Sequence, residues 1–368
     1  MACNLIEFAV ILLPGGNSIF QEECKLKLCR AGRIAMCLVF LLLSALLLAT
    51  AAGGQYHLLK TYKYAAAPGG KEYFDYIVVD SPSRRVYLSH GTEVLVVNAD
   101  TGALIGKISG FQRDHGIALV KSLGLGFITD GDAARVGVFN IKTLKKVGEI
   151  PAADDADCIL YDPASRHVFT FNGDSQNSTV IDPATKKVVA TVKLGGKPEF
   201  AVADGKGIIF NNLEDKSEVV VLDSQALKIK SRWPIAPAGE PAPIAIDAAH
   251  HRLFVSGRKP AKMVVMNADD GKVIQSFDIS EGADANVFQP ETGLLFVSTR
   301  AGKIHIFHED TPDQLREVGT ADTEVGAKTM GVDSKTGHLF ADTADFRQPA
   351  GKRPEAVPGT FRLLVYAK

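Results

Sequence analysis

The chain has 368 residues, 46% of them hydrophobic, and 41 Lys and Arg against 42 Asp and Glu leave a net charge of −1. That apolar content excludes a disordered chain, and the balanced charge excludes a general polyanion-binding surface, so nothing points to nucleic acid. Length alone would suggest two or three domains, but an internal repeat assigns nearly all of the chain to one.

Residues 1–32 bear no relation to that repeat and read as an N-terminal extension, consistent with an over-long start. Residues 33–53 follow. Lys25, Lys27, Arg30 and Arg33 precede the apolar run IAMCLVFLLLSALLL, and the small residues ATAAGG come after it. A basic flank, an apolar stretch and an Ala-x-Ala-like exit predict a secretory signal cut near Ala51 or Ala52. The alternative is an uncleaved membrane anchor, because the stretch is almost long enough to span. Either way the rest of the chain is expected outside the cytoplasm, secreted or periplasmic, with membrane contact only through this segment. Four of the five cysteines, Cys3, Cys24, Cys29 and Cys37, lie in this leader. Cys158 stands alone in the remainder, so no internal disulfide is expected there, and its place within an apolar strand predicts a buried, inert thiol.

From residue 55 onward the chain is a series of short strands. Asp157 to Pro198 shows the unit: CILYD, a DPAS turn, HVFTFN, a GDSQN turn, STVID, a PATKK turn and VVATVKL. Each run is rich in β-branched or aromatic residues and is bounded by Gly, Pro, Asp or Asn. The residue closing the first strand recurs as Asp80, Val120, Asp162, Asp204, Asp247, Gln289 and Asp333, at steps of 40, 42, 42, 43, 42 and 44 residues. A fixed period in this range marks a repeat architecture. Seven units of four antiparallel strands predict an all-β, seven-bladed β-propeller. The seventh unit ends at its third strand, FRLLVYAK, while YHLLKTYKY (56–64) has strand composition and no partner. The N-terminal strand is therefore expected to complete the last blade and close the ring, which removes exposed edges. One propeller domain over 55–368, acting as a monomer, is the expectation.

The second-strand segments VYLSH, HVFTFN, LFVSG and LFVST, with DPATKKVVATVKLGGKP and NADTGALIGKI, resemble the YVTN family of β-propeller repeats. The resemblance covers about residues 74–368 and implies a secreted or periplasmic propeller of the YncE-like group. It speaks to fold rather than activity, because propellers host many unrelated functions. Trp233, the single tryptophan, lies in an outer strand without a Trp-Asp signature, which argues against WD40 repeats and suits an inter-blade packing role.

In such a blade the first strand lines the channel. Counting back five residues from each strand-closing position places Asp75, His115, Asp157, Glu199, Ala242, Asp284 and Lys328 at the channel mouth. The loops between second and third strands add His90, Asp130, Asp132, Asn172, Asp174, Asn212, Arg258 and Arg300 on the same face. Asp157 and Glu199 on one arc, with Arg258, Arg300 and Lys328 on the other, would hold a small zwitterionic or anionic ligand. A glycan or a partner protein on the same face is equally compatible. No cofactor is evident, although Asp75, Asp157, Glu199 and Asp284 together would suit Ca²⁺, and His90 and His115 with Asp75 would suit a transition metal. A wet channel mouth also collects charges with no ligand at all. A longer loop in the last unit, about 344–359, is expected above the funnel as a lid, with Phe346 and Arg347 reaching inward.

No G-x-S-x-G elbow, H-E-x-x-H, C-x-x-C or phosphate-binding glycine loop occurs. His305 and His308 are three apart on a strand and face opposite ways. His250 and His251 fall in a hairpin on the face away from the funnel. The reading is an exported, non-enzymatic propeller that binds a ligand, glycan or protein at its channel mouth. The alternative is a metal-dependent, lactonase-like hydrolase with carboxylate ligands and His115 as proton acceptor.

Overall fold

The structure is a computed structural model and describes residues 55–70, 72–349 and 354–368. The predicted leader, residues 33–53, and the extension before it lie outside the described residues. Among the described residues no helix is long and apolar enough to cross a membrane.

Seven four-stranded antiparallel sheets form the seven blades. Blade 3, for example, is Ala156–Asp162, His167–Asn172, Asn177–Asp182 and Lys187–Lys193, hydrogen-bonded in sequence order. The first strands of blades 1 to 7 end at Asp80, Val120, Asp162, Ala203, Asp247, Gln289 and Val332, on or one residue before the periodic positions. Blade 7 has the order His57–Lys63, Arg362–Ala367, Leu339–Thr343 and Met330–Val332, so the N-terminal strand is its outermost strand. The ring closes as expected.

Apolar faces of neighbouring blades bury one another. Phe169 and Phe171 of blade 3 pack with Ile209, Val220 and Leu222 of blade 4, and comparable clusters fill the other junctions. Removing one such fully buried phenylalanine would cost about 3–5 kcal/mol. Outer strands are only half covered: Val188 and Val189 are exposed, with Val192 buried. Trp233, at the edge of blade 4, covers the turn of blade 5 at Gly271, as well as Phe210 of its own blade, 5.9 Å between ring centroids. A Cβ on Gly271 would sit 2.1 Å from the indole, and φ there is +75°, so only glycine fits under the ring.

What positions the site is an irregularity at the start of the first strands. In blades 2 to 6 the pairing with the second strand slips between Asp114 and Ile117, Ala156 and Ile159, Pro198 and Ala201, Pro241 and Ile244, and Ala283 and Ala285. Each bulge spans one of the residues counted to the channel mouth. A bulge re-aims a side chain while sparing the rest of the ladder.

Candidate functional site

The channel mouth holds a cavity of about 290 Å³, lined by Tyr73, Asp75, Tyr76, Arg113, His115, Asp155, Asp157, Lys197, Pro198, Glu199, Phe200, Glu214, Arg258, Asp284, Arg300 and Lys328. Six of the seven counted positions are here; Ala242 is not. Arg258 and Arg300 join them from the second loops of blades 5 and 6. Tyr76 of blade 1 and Phe200 of blade 4 meet across the ring, 4.6 Å between centroids, and form an aromatic floor one residue deeper than Asp75 and Glu199.

Sequence reasoning missed a second tier. Tyr73, Arg113, Asp155 and Lys197 each lie two residues before a counted position, at 75, 115, 157 and 199. They sit in the segments that lead into the first strands, where Asp155 has a φ of +57°, so strand alternation did not point to them. Glu214 comes from the blade 4 loop just beyond Asn212 and had no signal either.

Two arcs of the cavity differ in how their charges are matched. On the first, Arg258 donates to Asp284 at 2.7 Å and to Glu214 at 2.7 Å. Arg300 adds donation to both Asp284 oxygens at 3.0 Å, and the Asp284 side chain is almost wholly buried beneath them. Burial disfavours the Arg258 cation, but the Asp284 and Glu199 charges overcome this and hold it firmly charged.

The second arc is less complete. His115 Nδ1 lies 2.8 Å from Asp75 and 3.2 Å from Asp157, and Lys328 Nζ lies 3.1 Å from Asp75. The Tyr73 hydroxyl donates to Asp75 at 2.7 Å, and the Arg113 guanidinium rests 4.5 Å from the centre of its ring. Burial pulls the His115 pKa down, but the Asp157 and Asp75 carboxylates outweigh it and raise it to about 10. Burial pushes Asp75 up; Lys328, His115 and Tyr73 more than reverse this and hold it ionised. Among the described residues Glu199 has one ion-pair partner, Arg258 at 3.9 Å, and no side-chain hydrogen bond. Burial lifts its carboxyl, and with the Asp157, Glu214 and Asp284 charges outdoing Arg258 it reaches about 8. Asp155 is raised by burial and by the Asp157 and Asp174 charges. Asp157 Oδ1 is buried, and its partner among the described residues is His115 Nδ1 at 3.2 Å.

His90, Asp130, Asp132, Asn172, Asp174, Asn212, Phe346 and Arg347, all expected at the funnel, do not line this cavity. His90 is fully buried, stacked on Phe361 at 4.3 Å and bonded to Glu72, so it braces blade 1 against blade 7. Asn172 bonds Thr170, Asn177 and Thr179 within blade 3. Asn212 donates to the carbonyls of Ala242 and Pro243 in the next blade. Arg347 pairs with Glu355 at 3.0 Å in a small hairpin formed by Phe346–Arg347 and Glu355–Ala356, and its side chain is two-thirds exposed. Phe346 leans on Phe74 instead of reaching inward. Asp130, also placed at the funnel, is buried and accepts from the Gln112 and Arg113 amides and from Arg135.

The metal sets regroup as well. Among the described residues the donor atoms that converge at the mouth are those of Asp75, His115 and Asp157; neither Glu199, Asp284 nor His90 joins them. Even that trio already holds a cation, because Lys328 and the His115 proton neutralise its carboxylates. Cys158 is buried and free, its thiol pushed up by burial and the Asp157 charge, in keeping with an inert core residue.

No family model matches the chain. It is similar to two curated proteins, each described as "Uncharacterized protein YncE", from Salmonella typhimurium (strain LT2) and Salmonella typhi. Both are 22% identical over 183 residues, which cover 48% of this chain and 51% of each relative. The chain therefore spans about half the length of the curated relatives it matches. Among solved structures it is similar to Kuenenia stuttgartiensis hydrazine synthase, with a TM-score of 0.65, 12% identity and coverage of 76% of this chain and 94% of that one. The RRP9 WD40 repeats align with a TM-score of 0.69 at 8% identity, covering 84% of this chain and 100% of that one. U3-55K aligns with a TM-score of 0.70 at 9% identity, covering 85% and 98%. Identities this low speak to the propeller fold alone. With the repeat motifs and seven closed blades, the relatives support a YncE-like propeller family for this chain.

Proposed function

We propose that the chain is an exported binding propeller whose channel mouth takes a small zwitterionic ligand. The observation that carries this is the unmatched arc of the cavity. Among the described residues no side-chain hydrogen bond reaches the Glu199 carboxyl, whose cation Arg258 stays at 3.9 Å, and the Asp157 carboxylate is met only by His115, at 3.2 Å. Arg113 and Lys197 line the same cavity with exposed heads, and their nearest carboxylates lie only at 3.8 and 3.7 Å. An ammonium would settle against Asp155, Asp157 and Glu199, and a ligand carboxylate against Arg113 and Lys197. A volume of about 290 Å³ is at the small end for ligand pockets, which suits a molecule of amino-acid size over a glycan chain.

The test is calorimetric titration with a panel of amino acids, their decarboxylated amines and their deaminated acids. The zwitterions should bind best, and Asp157→Asn and Arg113→Gln should each weaken them at least tenfold. Absence of binding by the whole panel, or equal binding by the variants, overturns the reading.

The hydrolase alternative finds less support. A histidine held as an imidazolium by two carboxylates is a poor proton acceptor at neutral pH. Thermal melts with EDTA and then with Ca²⁺ test it directly: a Ca²⁺-dependent shift that Asp157→Asn removes would restore it.

A further inference from the structure

We propose that Asp247, His250 and Glu309 form a divalent metal site of the zinc class between blades 5 and 6, on the face opposite the channel mouth. Three of the other four aspartates at the strand-closing position meet a donor from a neighbouring blade: Asp80 meets Lys121 at 2.6 Å, Asp162 meets the Ser224 hydroxyl at 2.6 Å, and Asp333 meets Arg84 at 2.7 Å, while Asp204 bonds the Lys206 and Ile208 amides of its own blade. Ser224 lies 62 residues after Asp162. The residue at that same offset from Asp247 is Glu309. Where those three junctions supply a hydroxyl or a cation, this one supplies a second carboxylate.

Two carboxylates facing each other out of water repel unless a cation or a proton lies between them. Both are desolvated here, with the Asp247 side chain 3% exposed and that of Glu309 6% exposed. Glu309 Oε1 is buried without a hydrogen-bond partner. Arg252 is the nearby fixed cation, but its guanidinium is spent on Asp313 and on the carbonyls of Pro312, His250 and His251.

His250 supplies the third donor. Its Nδ1 lies 2.5 Å from Asp247 and 3.9 Å from Glu309, and one donor atom from each of the three residues lies within 4.8 Å of the others. Bonds of about 2.0–2.2 Å to a tetrahedral ion need donors roughly 3.3–3.6 Å apart. The exposed imidazole can pivot outward to meet that spacing while the two carboxylates stay in place. An imidazole beside two carboxylates favours zinc over Ca²⁺ or Mg²⁺, and three protein ligands leave one position for water. The ion would clamp blade 5 to blade 6.

The experiment is titration of the chelator-treated full chain with ZnCl₂, read by calorimetry and by thermal melting. One zinc should bind, and a hundredfold excess over Kd should raise Tm by about 4 °C. Glu309→Ser rebuilds the hydroxyl–aspartate pair of blades 3 and 4, so it should fold without metal and lose zinc binding. His250→Ala alters only an exposed ring and should weaken zinc at least tenfold, which keeps the test sound should the serine variant misfold. No zinc binding, binding retained in both variants, an equal shift with Ca²⁺, or loss of binding only in His115→Gln would each overturn the site.

Discussion

The two arcs of the channel mouth are built from the same residue types, yet one is closed and the other open. Arg258, Asp284, Arg300 and Glu214 satisfy one another within 3.0 Å. Among the described residues Asp157 is met by His115 alone, at 3.2 Å, and Glu199 by Arg258 alone, at 3.9 Å. The difference separates structural charge from available charge. A cation shared among three carboxylates holds blades 4, 5 and 6 in register, whereas a carboxyl lifted towards neutrality stores the capacity to receive a ligand's charge.

The largest expected effect breaks the closed arc. Arg258→Ala leaves buried Asp284 to the half-exposed Arg300 alone and takes from Glu199 and Glu214 their shared cation. Removing one partner of a buried pair is far costlier than the pair is worth. With the Arg258 side chain a quarter exposed, a loss of about 2–4 kcal/mol is expected in urea denaturation. A change below about 1 kcal/mol would show that the closed arc carries no structural load.

The second effect sharpens the open arc, through pH. A glutamate whose folded pKa is raised from 4.5 to about 8 makes the folded state bind its proton more tightly than the unfolded chain does. Its contribution is therefore present below about 4.5 and is lost as pH rises through 8. His115, raised from 6.5 to about 10, acts in the same direction over a higher window, present below 6.5 and lost through 10. Glu199→Gln should then gain on the wild type in Tm between pH 5 and pH 8, and His115→Gln should alter the profile only above pH 6.5. A Glu199→Gln difference that stays flat with pH would mean the carboxyl is already ionised, and the open arc would lose its distinguishing feature.

The fold was legible because turn chemistry and strand composition recur at a nearly constant spacing, and because the last unit lacks one strand while the first segment has no partner. Both facts are local and need no packing knowledge. The site was half legible. Asp75, His115, Asp157, Glu199, Asp284 and Lys328 follow from counting, and the bulges that aim five of the counted positions are invisible in composition. His90, Asn172 and Asn212 misled because a polar residue at a strand end ordinarily faces water. In a ring of blades each such end is roofed by the next blade, and the side chain is consumed there, as Asn212 is by the carbonyls of Ala242 and Pro243. The Asp247–Glu309 contact was hidden for the same reason: it joins residues from two blades through an offset that only the ring makes meaningful.

The smallest expected effect concerns the long loop of blade 7, the one region read from its sequence as a lid. Arg347 is bonded to Glu355 in its own hairpin, is two-thirds exposed and does not line the cavity. An exposed pair of this kind contributes at most about 0.5–1 kcal/mol. Arg347→Ala should therefore shift stability by no more than that and leave ligand affinity within twofold of wild type. A tenfold loss of affinity would mean that the hairpin folds over the channel when ligand binds. The open arc would then need this loop as a third element, and its unmatched carboxylates would be waiting for a residue of the chain as well as for the ligand.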